Sequence, residues 1–245
     1  MDISKIQPIT DQPLLIIDKK ILVIADLHIG IESELREHGI NASSQTKKMF
    51  EKLRKICMKY NPEEIVLLGD IKHNIPTSPI SERKDVKKFL EEVIKFAKVH
   101  IVVGNHDGFI KKLAPETVKI HPSSGFIIEN IGFVHGHSWP KKELMQCDQI
   151  IMAHTHPTIM LTDRLEHKSF EPCWIDATII EEKLEEKYET EATPKLLIIP
   201  AFNPLCGGIA INRDGITGPM SNLIDIPKSS IYLIDGTSLG SVKSI

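Results

Sequence analysis

Eight side chains in this sequence have the types and spacing for metal and acid–base chemistry: Asp26, His28, Asp70, Asn105, His106, His135, His154 and His156. Each follows closely on a run of apolar residues, where a buried strand should stop. Carboxylate, amide and imidazole groups pack poorly at such a place and make good donors to a cation. Asp26 and His28 stand at i and i+2 of an extended segment, so both can reach one ion. Gly104-Asn105-His106-Asp107 sets an amide, an imidazole and a carboxylate side by side in one short turn. Singly, each residue has an ordinary use as a cap, a turn former or a surface histidine. Jointly, eight of them after five apolar strands are too many for turn formation.

The elements that must position them can be read from periodicity. Leu14 to Ile17 and Ile21 to Ala25, separated by Asp18-Lys19-Lys20, read as a hairpin. A short helix around Glu32 to His38 ends at Gly39. Ser43 or Ser44 then caps a longer helix whose apolar stripe is Met49, Phe50, Leu53, Ile56, Cys57 and Tyr60, stopped by Asn61-Pro62. The run EIVLLGD is a strand delivering Asp70, with His73 shortly after. A proline-punctuated loop from Asn74 to Ile80 leads to a helix starting at Ser81 and burying Val86, Phe89, Leu90 and Val93. The next strand runs into Gly104. In alternating strands and helices of this kind, sites form at the carboxyl ends of the strands.

The second half reads as mostly β, a second sheet packed on the first. Its strands are Val118 to His121, Phe126 to Glu129, Ile131 to Val134, Gln149 to Ala153, Pro172 to Ile180, Leu196 to Ile199, Ile209 to Ile211 and Ile231 to Ile234. The charged run EEKLEEKYETEATPK reads as solvated surface, and Asn212-Arg213-Asp214-Gly215 and Asp235-Gly236 as turns. No repeat or linker divides the chain, so residues 1–245 are expected to form a single domain.

Hydrophobic content of 41% and charged content of 26% are those of an ordered globular protein. A net charge of -3 gives no basic surface at the level of the whole chain. Cys57, Cys147, Cys173 and Cys206 form no C-x-x-C pair, which favours reduced thiols over a zinc ribbon or disulfides. The N-terminal MDISKIQPIT lacks the apolar core of a signal peptide, and no run approaches the ~20 apolar residues of a membrane span. A cytoplasmic protein with no membrane partner is expected.

The motifs DLH at Asp26, LLGD at Asp70, GNHD at Gly104, VHG at His135 and AHTH at Ala153 resemble, in order and spacing, those of the calcineurin-like metallophosphoesterases. That superfamily carries D-x-H, GD, GNH[DE], a lone His and GHxH. Ala153 replaces the usual Gly of the last motif, which removes no ligand. The GDxxH form from Gly69 to His73 is similar to SbcD-type nucleases, and PAFNPLCGG and YLIDGTSLG are similar to archaeal SbcD-related phosphoesterases.

The resemblance implies a four-layer α/β/β/α sandwich of two packed mixed sheets with helices on the outside. It also implies a dinuclear centre in which Asp26, His28 and His156 hold one metal, Asn105, His135 and His154 hold the other, and Asp70 bridges them. Such donors suit Mn, Fe, Zn, Ni or Co better than Ca or Mg, with Mn²⁺ the first choice. The implied reaction is hydrolysis of a phosphodiester by a hydroxide bridging two divalent transition metals. His106 would act as the acid or transition-state stabiliser, Asp107 would support it, and His73 would contact phosphate or hydroxide. His137 is expected in a supporting role.

Nucleic acid, a cyclic nucleotide or other small diester, and a phosphomonoester are the candidate substrates. A non-catalytic metal-binding scaffold is the reading from another class. The capping and ATPase-binding regions usual in SbcD-type nucleases would lie beyond this chain's end, so break resection is not expected. Oligomeric state is left open, a dimer among the options.

Overall fold

The computed structural model describes residues 6–245, and the reading of Met1 to Lys5 lies outside the described residues. Strand alternation decides the architecture. In the first sheet, β1 (Ile6–Pro8), β2 (Leu15–Ile17) and β3 (Ile21–Ile24) are antiparallel neighbours. The three-residue turn Asp18-Lys19-Lys20 joining β2 to β3 has its first two residues left-handed, at φ 50° and 60°, and the Lys20 amide donates to the Ile17 carbonyl at 2.8 Å. After helices α1 (Ile31–Glu37) and α2 (Thr46–Tyr60) comes β4 (Glu64–Leu68), then α3 (Ile80–Val93), β5 (Lys98–Val102) and β6 (Lys119–His121). From β3 to β6 the strands are parallel, completing a six-stranded mixed sheet.

The second sheet has nine strands. Its chain order is β7 (Phe126–Ile128), β8 (Ile131–Val134), β9 (Gln149–Met152), β10 (Pro157–Thr162), β11 (Lys168–Ala177), α4 (Glu181–Tyr188), β12 (Lys195–Ile198), β13 (Ile209–Ala210), α5 (Ile211–Asp214), β14 (Ser230–Leu233) and β15 (Ser238–Ser241). In space the order is β13-β10-β11-β12-β9-β8-β7, with β14 on β11 and β15 on β14.

Three cores separate four layers. Leu15, Ile17, Val23, Val66, Leu68 and Val102 of the first sheet meet Phe133, Ile151, Ala153 and Trp174 of the second. The intervening residues Leu14, Ile16, Leu22, Ile24, Ile65 and Leu67 point the other way, onto Met49 and Leu53 of α2 and Val86, Phe89 and Leu90 of α3. The outer face of the second sheet buries Ile150, Met152, Cys173, Ile175, Leu196 and Ile198 with Leu184 and Tyr188 of α4. The expected sandwich of two packed mixed sheets is the one found.

Several local expectations need correction. Val118 to His121 belongs to the first sheet, where β6 runs parallel to β5. The charged EEKLEEKY run forms α4 and is not wholly solvated, because Leu184 and Tyr188, four apart, seat one face in the core. Asn212-Arg213-Asp214-Gly215 is one helical turn closed by Gly215 at φ 74°, not a hairpin. Helix α2 starts at Thr46 behind Gln45, whose side chain makes no cap; Ser44 Oγ accepts the Thr46 amide at a long 3.4 Å, and the amide of Gln45 donates to Glu32 Oε1 at 2.6 Å. Helix α3 starts at Ile80, one residue early, behind Pro79.

Candidate metal centre

Parallel neighbours end at the same level, which brings the candidate residues together. β3, β4 and β5 pair Ile24 with Leu67 and Leu68 with Val102, so Asp26, Asp70 and the Asn105 turn leave one edge of the first sheet. β8 and β9 pair Val134 with Met152 and deliver His135, His154 and His156 from the second.

The backbone there is unusual. Asp26 (φ 55°), His28 (40°), Asp70 (52°), His154 (70°) and His156 (46°) are all left-handed. Non-glycine residues rarely adopt this region, and such strain persists only where neighbours fix it. Here the amide of Asp26 donates to the Gly69 carbonyl at 3.1 Å and that of His28 to the Asp70 carbonyl at 2.8 Å. Buried Asn203 adds its side-chain amide to the Leu27 carbonyl at 2.8 Å.

Among the described residues four donor groups result, one of them His28, His73 and His106, and two of the four contain carboxylates. Ligand atoms of Asp26, His28, Asp70 and His156 lie within 4.8 Å of one another, as do those of Asp70, His135 and His154. Asp70 is common to both. Asp26 Oδ1 stands 3.1 Å from His135 Nε2 and 3.3 Å from His156 Nε2, while Asp70 Oδ2 stands 3.5 Å from His28 Nε2 and 3.6 Å from His135 Nε2. Asp26 Oδ2, His28 Nε2 and His156 Nε2 are buried without a hydrogen-bond partner. Unsatisfied buried donors and acceptors on this scale call for an explanation, and a cation supplies one. The residues therefore fit the metals that the motifs imply. Asn105 sits exposed in its turn, between buried Gly104 and half-buried His106.

Electrostatics follow from burial and crowding. Burial alone would raise the Asp26 carboxyl, but His156 and His135 hold it well below the usual range. Burial and the neighbouring imidazoles push His28 down to about 2 against the pull of Asp26. Burial also raises the Asp70 carboxyl. His156 goes the other way, to about 9, because Asp26 outweighs its desolvation. Burial lowers His154 to about 4.

Around this cluster lie the supporting residues. His106 donates its backbone amide to Asp70 Oδ1 at 2.9 Å and its Nδ1–H to the His73 carbonyl, with its ring edge-on to His28 at 4.7 Å. This leaves Nε2 as the nitrogen open to a substrate. Asp107, expected to support His106, instead accepts from the amides of Ile71 (2.8 Å), Lys72 (3.3 Å) and Gly104 (2.9 Å). Burial, then the charge of Asp70, raises its carboxyl to about 6. His73 bridges His28, 3.2 Å between Nδ1 atoms, and the carboxylate of Glu34. His137 meets His135, 2.9 Å between Nδ1 atoms.

Glu34, Asn203 and Cys206 are the residues that sequence reasoning missed. The Cys206 sulfur groups with the ring nitrogens of His28 and His156. Glu34 is one of several charges on a short helix and gave no spacing signal. Asn203 and Cys206 lie in PAFNPLCGG, a run noticed by resemblance without a role.

A nuclease MPE from Pseudomonas putida shares the fold with a TM-score of 0.56 at 18% identity, over 94% of this chain and 95% of that one. Yfce, a phosphoesterase from E. coli, aligns over 90% of this chain and 96% of its own at 14% identity, with a TM-score of only 0.42. Residues 19–189 match the calcineurin-like phosphoesterase family. Motif order, sandwich architecture and that long match converge on one statement: this chain belongs to the calcineurin-like phosphoesterase family.

Proposed function

We propose that the protein is a metal-dependent phosphodiesterase with a dinuclear centre, and that nucleic acid is its leading substrate class. The observation that carries this reading is the place of Asp70 in both carboxylate-bearing donor groups, since one carboxylate common to two sets is what a pair of bridged cations requires. In this reading Asp26, His28 and His156 hold one ion, Asn105, His135 and His154 hold the other, and Asp70 bridges. Two such cations, Mn²⁺ first and Fe, Zn, Ni or Co as alternatives, would polarise the phosphoryl group and lower the pKa of water from about 15.7 to about 7.

The chain's own residues do the rest. His106, its Nδ1–H committed to the His73 carbonyl, would act as the imidazolium, passing its Nε2 proton to the departing alkoxide and ending as the neutral Nδ1–H tautomer. Asp107 fixes the turn that carries it. Glu34 and His73 orient the His28 ring through its second nitrogen, as ligating imidazoles require. The nuclease reading is supported by the GDxxH run, similar to SbcD-type enzymes, and by the fold likeness to the Pseudomonas putida nuclease. We take the chain as one domain. A cytoplasmic location is supported by four free thiols, and no helix among the described residues is long and apolar enough to cross a membrane.

Elemental analysis together with a substrate panel tests the reading. Two metal equivalents, activity on bis-p-nitrophenyl phosphate lost to chelator and restored by Mn²⁺, and cleavage of a labelled oligonucleotide are expected. Activity indifferent to chelator would overturn the metal mechanism, and a clear preference for monoesters or cyclic nucleotides over the oligonucleotide would overturn the nuclease assignment.

A further inference from the structure

Beside the catalytic turn lies a cavity of about 240 Å³ lined by Pro76, Ser78, Arg83, Gly108, Phe109 and Lys112, among others. Phe109 is its oddest member. Its ring is 68% exposed and its backbone left-handed, at φ 65°. A bulky residue in that region is an outlier, and no burial of the ring compensates it. Ile75 and Ile80, which flank in sequence the Pro76–Ser78 stretch of the lining, are exposed as well, at 56% and 73%. The charges at the cavity are both positive. Arg83 is steadied by donating from Nε to the Ser78 carbonyl at 2.9 Å, and Lys112 Nζ stands 5.1 Å from the Phe109 ring centroid.

Both walls are tied to the chemistry. His106 Nδ1 bonds the His73 carbonyl, joining at their base the segments that lead to Pro76 and to Phe109. Gly108 is two residues from His106, at most about 7.6 Å of chain. An occupant of the cavity must therefore offer a flat apolar ring and, one short step away, negative charge. A nucleobase and its flanking phosphate do both, and the base's face is free for stacking only when the strand is single. Resting on the diesterase reading above, we infer that this cavity seats a nucleobase next to the scissile phosphate of a single-stranded nucleic acid. Phe109 is the stacking platform, and Arg83 and Lys112 pair with the adjoining phosphate.

The test compares a short single-stranded oligonucleotide with an abasic oligomer of equal length, in wild type, Phe109→Ala, Phe109→Trp and Phe109→Gly. Wild type should favour the base-bearing strand in kcat/KM by about ten- to hundredfold, the range expected of one stacked base. That ratio should fall toward one in Phe109→Ala and be restored in Phe109→Trp. Phe109→Gly should lose the ratio yet melt at higher temperature, since glycine accepts positive φ without strain. The salt dependence of oligonucleotide binding should be shallower in Arg83→Gln/Lys112→Gln. An unchanged ratio in Phe109→Ala, with the oligonucleotide still cleaved, overturns the base site alone. Hydrolysis of bis-p-nitrophenyl phosphate without cleavage of any oligonucleotide overturns the nucleic-acid assignment and the base site with it. A Phe109→Ala protein that changes mass by light scattering and keeps the ratio identifies a protein contact and overturns the inference.

Discussion

Asp107 accepts the amide proton of Ile71 at 2.8 Å, joining residues 36 positions apart and pinning the Gly104-to-Asp107 turn to the loop that carries Asp70. With Lys72 and Gly104 also donating to this carboxylate, Asp107→Ala leaves three buried amides without an acceptor. At ~1–3 kcal/mol per unsatisfied buried group, partly relieved by rearrangement, a loss of about 3 kcal/mol is expected in urea denaturation of the metal-free protein. Asp107→Asn should lose about 1 kcal/mol, because one oxygen remains as an acceptor.

Asp70 and His106 should separate metal binding from proton delivery. Asp70→Ala removes the carboxylate common to both carboxylate-bearing donor groups, and metal content measured by elemental analysis should fall with activity. His106→Ala should keep its metals while kcat on bis-p-nitrophenyl phosphate drops by about 10²- to 10⁴-fold, the usual contribution of a positioned acid. An equal loss of metal in His106→Ala would reject the acid role.

Two glycines are held by close approach. A Cβ on Gly104 would stand 2.2 Å from Asp70 Oδ1, and one on Gly69, at φ 83°, would stand 2.2 Å from the His135 ring. Alanine at either position must move a candidate ligand. Both variants should fold with reduced thermal stability and lose most of their metal, read by calorimetry and elemental analysis.

The Glu34–His73–His28 chain should set metal affinity. His73→Ala removes the partner of His28 Nδ1, and a fall of about 10- to 100-fold in metal affinity is expected from titration against a competing chelator. Glu34→Gln should show a smaller fall in the same direction. Unchanged affinity in both would reject the orienting role.

A pH dependence is expected from a histidine pair that belongs to neither carboxylate-bearing donor group. His100 Nδ1 and His121 Nε2 meet at 2.9 Å, and His121 stacks on Phe126 at 3.7 Å between centroids. Burial, then the charge of His100, lowers His121 from 6.5 to about 4. The unfolded chain therefore binds the extra proton first, and stability falls as pH drops from about 6.5 toward about 4. His121→Phe should flatten the dependence of melting temperature on pH across that window.

The fold and the candidate ligands were legible because both rest on local pattern. The continuous apolar runs Leu14 to Ile17 and Ile65 to Leu68 mark strands buried on both faces, as their division between two cores shows, and donor residues at strand ends stand out against such runs. What was illegible depends on contacts distant in sequence. Asp107 adjoins His106 in the chain, yet its carboxylate turns to amides more than 30 residues away, at Ile71 and Lys72. Glu34 is indistinguishable from its charged neighbours until the fold brings it to His73. The sheet that β6 joins is likewise a matter of pairing with β5, which three short strands in a row do not announce. The buried face of α4 was illegible for a different reason: its two core residues, Leu184 and Tyr188, are outnumbered by the glutamates and lysines around them.

The donors are divided between the two sheets: Asp26, His28 and Asp70 come from one, and His135, His154 and His156 from the other. An ion held by this set is therefore a clasp across the interior seam. Its binding free energy adds to the docking of the halves by mass action, about 2.7 kcal/mol when free ion stands at 100 times its dissociation constant. Any opening that parts the sheets must release the ions. Metal occupancy and hydrogen-exchange protection of β3, β4, β8 and β9 should consequently rise and fall together, making the reagent of the reaction also a fastener of the fold.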